Sequence, residues 1–319
     1  MVESRNKIKE RMSDMQYNFS VIIPHFTCDG NVYSLRRVIT SIPDQNDIQI
    51  IVVDNSLNPI PDNLFPERKN IKIIYSPNDR YAGGARNIGM ENAYGKWLIF
   101  ADADDYFTDD AFYFFYKYIN SEADIIYFAA KGIYPETGEK SDFADIYTKL
   151  VRDYIDNPAN DVNIRVSFHV PWAKMVKRKF VECGYYQYDE VIANNDDYFA
   201  MLIGYNAKEI VAINKIVYVY TVTKGSLTKR RSYKVIKSRL LVILRKNKFL
   251  RSHGLSKYQE SVMYLLSQMI RFGFKSIFES FGLLFRFRQN PFIGCSHWIK
   301  TLAKMQNFLK KNKEYITTD

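Results

Sequence analysis

The sequence predicts an α/β doubly wound fold for the first 130 residues, from two observations. Short runs rich in β-branched residues are typical of buried strands and occur at 19–24, 48–54, 71–76, 96–102 and 123–130. Longer stretches with helical apolar spacing lie between them, at 32–42, 82–95 and 109–121. Because strands and helices alternate, we expect a mostly parallel or mixed sheet flanked by helices, with ligands at the carboxyl ends of the strands.

Each element has a local reason. The runs FSVIIP, IQIIVVD and IKIIYS are nearly continuous in β-branched residues, and KWLIFAD and ADIIYFAA add aromatic ones, as buried strands do. The stretches VYSLRRVITSI, AGGARNIGMENAYG and DDAFYFFYKYINS repeat apolar residues three or four positions apart, as amphipathic helices do. Three of the strands end at Pro24, Asp54 and Asp102, so these residues lie at the edge where ligands are expected.

The remaining chain divides into regions of different character. Residues 131–222 have a looser pattern, and we expect them to continue the same domain and build the other wall of its cleft. From about residue 224, apolar clusters alternate with Lys and Arg at helical spacing, which predicts basic amphipathic helices. We therefore divide the chain into a polar extension (1–17), an α/β domain (18–223) and a basic helical region (224–319).

Length and cysteine content restrict the class of protein. At 319 residues and 47% hydrophobic composition, the chain can bury one large core and carry an appendage. The three cysteines, Cys28, Cys183 and Cys295, form no CxxC pair, so the sequence indicates neither a disulfide framework nor a zinc site. The polar N-terminus and the lack of an 18-residue apolar run favour a cytoplasmic protein without a signal peptide or spanning helix.

The charge is distributed unevenly. Residues 1–223 contain 24 Lys/Arg and 31 Asp/Glu, whereas residues 224–319 contain 21 and 4. A basic region of this kind favours a polyanionic partner, either nucleic acid or an anionic membrane. Without a recognised nucleic-acid-reading module, we expect no nucleic-acid partner.

An apolar face beside these cations favours the membrane, which the helices would bind at the inner face of the plasma membrane. The apolar residues that follow the most basic stretch are Phe272, Phe274, Ile277, Phe278, Phe281, Leu283, Leu284, Phe285 and Phe287. The alternative is that these helices pack on the α/β domain or form a homodimer interface.

The segment KWLIFADADDYF joins an apolar strand to three carboxylates, Asp102, Asp104 and Asp105. Like charges this close repel unless a cation or a hydrogen-bond donor compensates them. In an Asp-x-Asp pattern at a strand end, Asp102 and Asp104 point to one side and can share Mg²⁺ or Mn²⁺. A solvated loop or a helix N-cap would produce the same short pattern.

A second segment, NDRYAGGARNIG, places paired glycines at the start of a helix. Gly83 and Gly84 allow close backbone approach, and Arg86 can bind a phosphate or a carboxylate through two hydrogen bonds. The segment does not match the GxGxxG dinucleotide fingerprint, because its glycines are adjacent and follow the third strand. A plain glycine-rich turn is the alternative.

Taken together, these segments resemble the family 2 inverting nucleotide-sugar glycosyltransferases with the GT-A fold, of the type found in bacterial polysaccharide biosynthesis. The matching segments occur in order: VIIPHF (21–26), IIVVDNS (50–56), NDRYAGGARNIGMENAYGKWLIFADADDYF (78–107), PWAKMVKRKF (171–180), NNDDYF (194–199) and VYTVTKGSLT (219–228). The resemblance covers about residues 18–230 and is carried by the order and spacing of the segments.

The resemblance implies a donor site at the strand ends. The nucleotide base would be held by the first and second strand ends, here Pro24, His25, Phe26, Asp54 and Asn55, with Asp54 accepting the uracil imide proton. The phosphate side would be lined by Gly83, Gly84 and Arg86. The segment at Asp102 and Ala103 would reach the ribose, and Asp104, with Asp102, would ligate the metal that bridges the diphosphate.

It also implies a base and an acceptor side. In NNDDYF, Asp196 matches the catalytic base, although the family often has Glu-Asp where this chain has Asn195-Asp196, and Asp197 competes for the role. Trp172 and Lys174, in the PWAK segment, would contact the acceptor. Because 219–228 contains no histidine to act as a further metal ligand, closure over the diphosphate would fall to Lys224, Ser226 and Thr228.

The implied activity is metal-dependent transfer from a nucleotide-sugar, most simply a UDP-sugar, to a glycan or lipid-linked acceptor. Two alternatives come from other classes: an aspartyl-nucleophile phosphatase, whose DxDx[TV] motif the DADD run partly matches, and a non-enzymatic protein that binds anionic surfaces or nucleic acid. The histidines His25, His169, His253 and His297 are isolated in the sequence, and for most of them we expect packing or surface roles.

Overall fold

The first four strands form the parallel part of the sheet. The structure, a computed structural model, describes residues 17–27, 30–222 and 231–293. Strands β1 (Phe19–His25), β2 (Ile48–Asp54), β3 (Ile71–Tyr75) and β4 (Trp97–Phe100) lie in the order β3-β2-β1-β4 and pair in parallel. All residues of β1, β2 and β4 are buried, as continuous apolar strands covered on both faces should be.

Further strands extend the sheet on the β4 side and make it mixed. They are β5 (Tyr106–Phe107), β6 (Ile125–Ile133), β7 (Lys140–Ser141), β8 (Lys174–Lys177) and β9 (Ile210–Thr221). The order continues β4-β8-β6-β9-β5, with β7 paired to β6; β8 runs antiparallel to both of its neighbours, and β6 runs parallel to β9. The stretch after residue 131 therefore contributes strands to the same sheet.

Helices flank the sheet where the sequence predicts them, and the three predicted helices are shorter in the structure than the predicted stretches. They are α1 (Tyr33–Thr40), α2 (Tyr81–Glu91), α3 (Ala111–Lys117), α4 (Asp145–Asp156), α5 (Val162–Ser167), α6 (Arg178–Cys183) and α7 (Asp197–Asn206). Short 3₁₀ turns occur at Asn78–Arg80, Pro158–Asn160 and Ser256–Tyr258. Helix α2 ends four residues before the predicted limit, because Gly95 must approach β1 so closely that a Cβ there would lie 2.4 Å from the Phe19 carbonyl carbon.

The basic C-terminal region is helical in its described part. It contains α8 (Tyr233–Ser252), α9 (Met263–Ile270) and α10 (Phe274–Arg286). Leu250 of α8 packs with Val166 and Met201 of the α/β domain, while the other face of α8 forms a second small core with α9 and α10. Within residues 17–27, 30–222 and 231–293, no helix combines the length and apolarity needed to cross a membrane.

Candidate active site

The carboxyl ends of β1 and β2 bring His25 and Asp54 together. The two residues are partners in the parallel ladder, and His25 Nδ1 lies 2.9 Å from Asp54 Oδ1. Asp54 also accepts hydrogen bonds from the Ser56 hydroxyl (2.6 Å) and from the backbone N–H groups of Ser56 (3.2 Å) and Ile60 (2.8 Å). Burial opposes ionisation, but these hydrogen bonds outweigh it and hold the pKa of Asp54 below its usual range.

The remaining residues of this edge differ in exposure. Pro24 and Asn55 are buried, whereas the Phe26 side chain is 52% exposed and presents its ring to solvent. Asp54 itself is 1% exposed, and both of its oxygens already accept hydrogen bonds from the protein. Its contact with a nucleotide base stays a prediction.

The three carboxylates after β4 have different environments. Asp102 and Asp104 are half-buried at the site, with Ala103 between them. The Asp102 backbone N–H donates to the Tyr218 hydroxyl (2.9 Å), and the Asp104 carbonyl accepts hydrogen bonds from Arg37 and Thr221. The turn is therefore fixed to α1 and β9 through its backbone.

Asp105 does not belong to the same group. It is fully buried, and its Oδ1 accepts the backbone N–H of Thr221 at 2.7 Å. Burial, together with the charges of Asp104 and Asp102, raises the pKa of Asp105 well above its usual range. Asp105 is thus partnered by a hydrogen-bond donor of the protein and anchors β9.

The Asp102 and Asp104 side chains fit Mg²⁺ or Mn²⁺. Both are hard oxygen ligands of the kind these ions prefer, and both are half-exposed at the strand end. The charges of Asp102 and Asp104 raise the pKa of the neighbouring Asp105, as closely spaced carboxylates do. Within the described residues, the Arg86 guanidinium pairs with Asp102. The donor set therefore suits a divalent cation, while the assignment of the ligands stays a prediction.

Arg86 connects this turn to a second part of the site. Its guanidinium is buried, and it donates one hydrogen bond to Asp102 Oδ1 (2.5 Å) and another to Asn195 Oδ1 (2.7 Å). Tyr188 lies against it, with the ring centroid 5.3 Å from the guanidinium carbon. Arg86 therefore binds two protein groups that are distant in sequence, and a direct contact with phosphate stays a prediction.

The paired glycines have a packing role that the sequence did not reveal. Gly83 and Gly84 lie in the first turns of α2 and are buried. A Cβ at Gly83 would lie 1.9 Å from the Asp189 carbonyl oxygen, and one at Gly84 would lie 2.5 Å from the Arg80 Cβ. At Gly83, the close approach that the sequence predicts is thus an approach by the protein's own backbone at Asp189, whereas Gly84 is approached by side chains. Asp189 begins the segment 189–197, which we call the base loop.

The base loop ends with two aspartates in different environments. Asp196 is half-buried, and burial raises its pKa to about 6; Arg86 opposes this rise, while Asp197 and Asp102 add to it. Asn194, with φ +57°, makes the tight turn that precedes them, a conformation that asparagine adopts more readily than most residues. Asp196 therefore has a basicity that suits a general base near neutral pH.

Asp197 is held inside the protein. It contacts His169 Nδ1, Lys246 Nζ (3.0 Å) and Asn194 Nδ2 (3.1 Å). Burial opposes its ionisation, but His169 and Lys246 hold the pKa of Asp197 far below its usual range. These contacts favour Asp196 over Asp197 as the proton acceptor.

The cluster around Asp197 was missed by sequence reasoning. Lys246 comes from α8 and also donates to Glu260 Oε1 at 2.5 Å, while His169 comes from the loop after α5. His169, although isolated in the sequence, therefore lies in a cluster of charged groups, just as His25 contacts Asp54. No local signal connects these residues, because Lys246 lies 77 positions from His169 and 49 from Asp197.

Trp172 and Lys174 lie beneath the site. Trp172 is 1% exposed and stacks on Tyr218 with a centroid distance of 5.2 Å, so it supports the hydroxyl that binds the Asp102 backbone. Lys174 is 2% exposed and donates to the Phe168 carbonyl at 3.1 Å; burial lowers its pKa to about 7, although Asp196 opposes this. Their contact with an acceptor stays a prediction. Lys224, Ser226 and Thr228 lie outside the described residues.

Comparison with known proteins identifies the family. The family model described as Glycosyl transferase family 2 matches residues 20–184, just over half of the chain. The chain belongs to glycosyltransferase family 2. The resemblance drawn from the motifs is therefore confirmed, and membership of this family argues against the phosphatase alternative.

Curated family 2 relatives cover different shares of the chain. Glycosyltransferase GlyA of Streptococcus pneumoniae is 26% identical over 226 residues, 66% of this chain and 31% of that protein. Putative glycosyltransferase EpsH of Bacillus subtilis is 23% identical over 240 residues, 72% of this chain and 69% of that protein. The chain thus spans about a third of the pneumococcal relative's length.

A third relative and two solved structures are also similar. UDP-Glc:alpha-D-GlcNAc-diphosphoundecaprenol beta-1,3-glucosyltransferase WfaP of Escherichia coli is 31% identical over 91 residues, 28% of this chain and 36% of that protein. Staphylococcus aureus TarS 1-349 in complex with UDP-GlcNAc matches with a TM-score of 0.58 and 19% identity, over 85% of this chain and 80% of that one.

The mannosyltransferase PcManGT from Pyrobaculum calidifontis, in complex with GDP-Man and Mn2+, matches with a TM-score of 0.50 and 12% identity. The match covers 92% of this chain and 81% of that one. At these identities the structural matches show the fold alone. They confirm the GT-A fold, with its mixed sheet between helices.

Proposed function

We propose that this family 2 enzyme transfers a sugar from a UDP-sugar to a hydroxyl of a glycan or lipid-linked acceptor, with a divalent metal and with inversion at the anomeric carbon. One observation carries the proposal: Arg86 donates hydrogen bonds to both Asp102 and Asn195. The strand-end carboxylates and the base loop therefore belong to one site. Glycosyl transfer requires such a pair, a region that neutralises the leaving diphosphate and a carboxylate that accepts a proton.

In the proposed reaction, the Asp196 carboxylate accepts the proton of the acceptor hydroxyl as the new glycosidic bond forms. The bond between the anomeric carbon and the UDP oxygen breaks, and its electron pair leaves with UDP. Since the acceptor attacks opposite the leaving group, one displacement inverts the anomeric configuration. Mg²⁺ or Mn²⁺ held by Asp102 and Asp104 would act as a Lewis acid for the diphosphate.

The choice of donor and acceptor is supported by the names of similar proteins. The TarS complex contains UDP-GlcNAc, and the name of WfaP gives UDP-Glc as donor and a diphosphoundecaprenol as acceptor. PcManGT was solved with GDP-Man and Mn2+, which supports a metal but a different nucleotide. We therefore propose UDP as the nucleotide and surface polysaccharide assembly on a lipid-linked glycan as the process.

The test is a screen of UDP- and GDP-sugars for metal-dependent hydrolysis and for protection of the enzyme against thermal unfolding. We expect a UDP-sugar to be hydrolysed only with Mn²⁺ or Mg²⁺, and Asp104→Asn to lose this activity and metal-dependent UDP binding. Asp156→Asn, an exposed acid on α4, is the matched control and should behave as the wild type. Full activity in excess EDTA would contradict the metal role, and binding of GDP-sugars alone would contradict the choice of UDP.

The C-terminal helices support a further part of the proposal, binding to an anionic membrane surface. Helix α10 packs through Ser276, Ser280 and Leu284, whereas its opposite face presents Phe274, Phe278, Phe281 and Phe285, which are 82%, 75%, 64% and 87% exposed. Their spacing places these rings on one stripe of the helix. Monomeric soluble proteins seldom expose such a continuous apolar patch without a partner.

The charges around the stripe favour anionic lipid as its partner. Lys275 and Arg286 lie on the same helix and are exposed, and Arg271 and Arg288 flank it. Glu279, the one acid in the helix sequence, pairs with Lys237 and Tyr233 on α8. Cations beside exposed phenylalanines describe a helix that lies in the headgroup region of an anionic leaflet, where each cation contributes about 1 kcal/mol. A lipid-linked acceptor would then be near the site.

Sedimentation with vesicles tests this proposal. The full chain should bind vesicles containing phosphatidylglycerol at low salt and bind purely zwitterionic vesicles less. Phe278→Ser/Phe281→Ser/Phe285→Ser should weaken binding about 1,000-fold or more, since each of the three buried phenylalanines contributes at least about 1.5 kcal/mol.

The matched control removes three exposed apolar side chains elsewhere: Leu57→Ser/Tyr113→Ser/Ile146→Ser. This control should bind as the wild type. Failure of the wild type to bind anionic vesicles contradicts the proposal. A concentration-dependent dimer that the α10 variant abolishes would assign the stripe to a homodimer interface instead.

A further inference from the structure

Helix α8, in the basic C-terminal region, contacts the base loop at several positions. The Ser238 hydroxyl donates to the Ala193 carbonyl (2.8 Å) and accepts from the Ala193 N–H (3.3 Å). About two helical turns further on, Arg245 pairs with Asp189 at 2.5 Å. Lys246 then contacts Asp197 at the end of the loop. A helix distant in sequence thus holds both ends and the middle of the segment that carries Asp196.

Lys246 has the most constrained position of these residues. Its side chain is 1% exposed, and Nζ lies against His169 Nδ1, Asp197 Oδ1 and Glu260 Oε1. Potential ligand atoms of His169, Asp197 and Glu260 lie within 4.8 Å of one another, so these residues have the composition of a metal site. The ammonium group contacts all three, which means that the protein supplies the cation from its own chain.

We infer that Lys246 is a positioning residue for glycosyl transfer, which fixes Asp197 at the start of α7 and thereby holds the neighbouring Asp196 at the site. This inference rests on the proposed role of Asp196. Without the ammonium, the buried Asp197 carboxylate would lose one of its two basic partners, and buried carboxylates are strongly destabilising when unpaired. The first turn of α7 would then shift or loosen, although Lys246 itself touches neither substrate.

Lys246 also controls the charge near Asp196. The charged and titratable groups that act on Asp196 come from several elements: Arg86, Asp102, Tyr147, Lys174, Tyr188 and Asp197. Lys246 compensates the carboxylate next to it, Asp197. Removing the ammonium leaves more negative charge beside Asp196, so protons should bind Asp196 more tightly.

The experiment compares Lys246→Met with Lys248→Met in the full chain. Lys248 lies on the same helix but is exposed, so its substitution removes the same charge without touching the cluster. For Lys246→Met we expect kcat to fall about 10- to 100-fold, a donor KM close to the wild-type value, and the acidic limb of the kcat/KM profile to move to higher pH. Lys248→Met should match the wild type in all three measurements.

A second variant separates charge from packing. In Lys246→Met/Asp197→Asn, both members of the pair are neutral, so the acidic limb should return towards its wild-type position while kcat stays low. If Lys246→Met fails to fold, Ser238→Ala provides the milder test, because it removes a contact with the base loop and leaves the ion cluster intact. It should lower kcat several-fold with an unchanged acidic limb.

The outcomes distinguish this inference from the proposed function. If Lys246→Met keeps the wild-type kcat and pH profile, Lys246 does not position the base. If Ser238→Ala keeps the wild-type kcat, α8 does not position the base loop through Ala193. If Asp196→Asn keeps full activity, Asp196 is not the base, and the proposed function fails at an earlier step. Loss of activity in Asp196→Asn together with a wild-type Lys246→Met would overturn the inference alone.

Discussion

The two parts of the active site, the strand ends and the base loop, are held by different kinds of contact. At the strand ends, the backbone ladder sets the geometry: His25 and Asp54 are ladder partners, and Asp102 follows the end of β4 after one intervening residue. The base loop has no strand, and side-chain contacts hold it instead. Arg86 binds Asn195 from one side, and Lys246 binds Asp197 from the other.

This difference predicts how each part responds to substitution. A parallel ladder consists of many backbone hydrogen bonds, so one side chain changes it little. The base loop depends on a few buried polar contacts, and losing one partner of such a contact leaves the other unsatisfied. Single substitutions should therefore displace the base without disturbing the donor side, and the following predictions test that separation.

The largest effect should come from Asp196→Asn. It removes the proposed proton acceptor but keeps the size of the side chain, so kcat should fall by about 10²- to 10⁴-fold while UDP binding stays near the wild-type value. Asp197→Asn should reduce kcat less and lower the melting temperature, because it leaves Lys246 buried with one carboxylate fewer. Steady-state kinetics and thermal unfolding of both variants measure this, and the reverse ranking would assign the base to Asp197.

Gly83→Ala should separate the two parts of the site more directly. A Cβ at this position would lie 1.9 Å from the Asp189 carbonyl, so the base loop must move, whereas β1, β2 and β4 are untouched. We expect kcat to fall by about 10- to 100-fold with nearly unchanged UDP affinity. Gly282→Ala is the matched control, since a Cβ there meets nothing within 4 Å. Equal losses of UDP affinity and kcat would show that the two parts are not independent.

The pH dependence of kcat/KM should report the ionisation of Asp196 in the base loop. Burial raises the pKa of Asp196 to about 6. A base must be ionised, so kcat/KM should be constant above this pH and fall about tenfold per unit below it, as Asp196 becomes protonated. The residual activity of Asp196→Asn should lack this limb. A profile of wild-type kcat/KM between pH 4.5 and 8.5 provides the measurement.

The smallest effect should come from Ser56→Ala at the strand ends. The substitution removes one hydrogen bond to Asp54, so the free energy of unfolding should fall by about 1–2 kcal/mol at pH 7, with kcat little changed. Folding lowers the pKa of Asp54, so its contribution is present above the unfolded value of about 3.9 and is lost as pH falls through the folded value.

The stability difference between wild type and Ser56→Ala should therefore narrow below about pH 4. Urea unfolding at pH 7 and pH 3 measures it, and Ser252→Ala, an exposed serine on α8, is the control. If the difference in unfolding free energy is the same at both pH values, the Ser56 hydroxyl does not preferentially stabilise the ionised form of Asp54.

The sequence by itself determined the parallel half of the fold and the edge on which the site lies. Strands β1 to β4 are continuous apolar runs, so their type and their carboxyl ends can be located from local composition. The order and spacing of the motifs also determined the family. The antiparallel insertion of β8 between β4 and β6 could not be predicted, because a four-residue strand takes its place from its neighbours.

Only the tertiary structure decided which carboxylates are chemically available. Asp102, Asp104 and Asp105 are equivalent in the sequence, yet Asp105 is fully buried, which raises its pKa, and its carboxyl group anchors β9 through the Thr221 N–H. Asp196 and Asp197 are adjacent, yet His169 and Lys246 bind only the second. Ionisation depends on burial and on partners that come from distant parts of the chain, and neither can be read from the residues beside each aspartate.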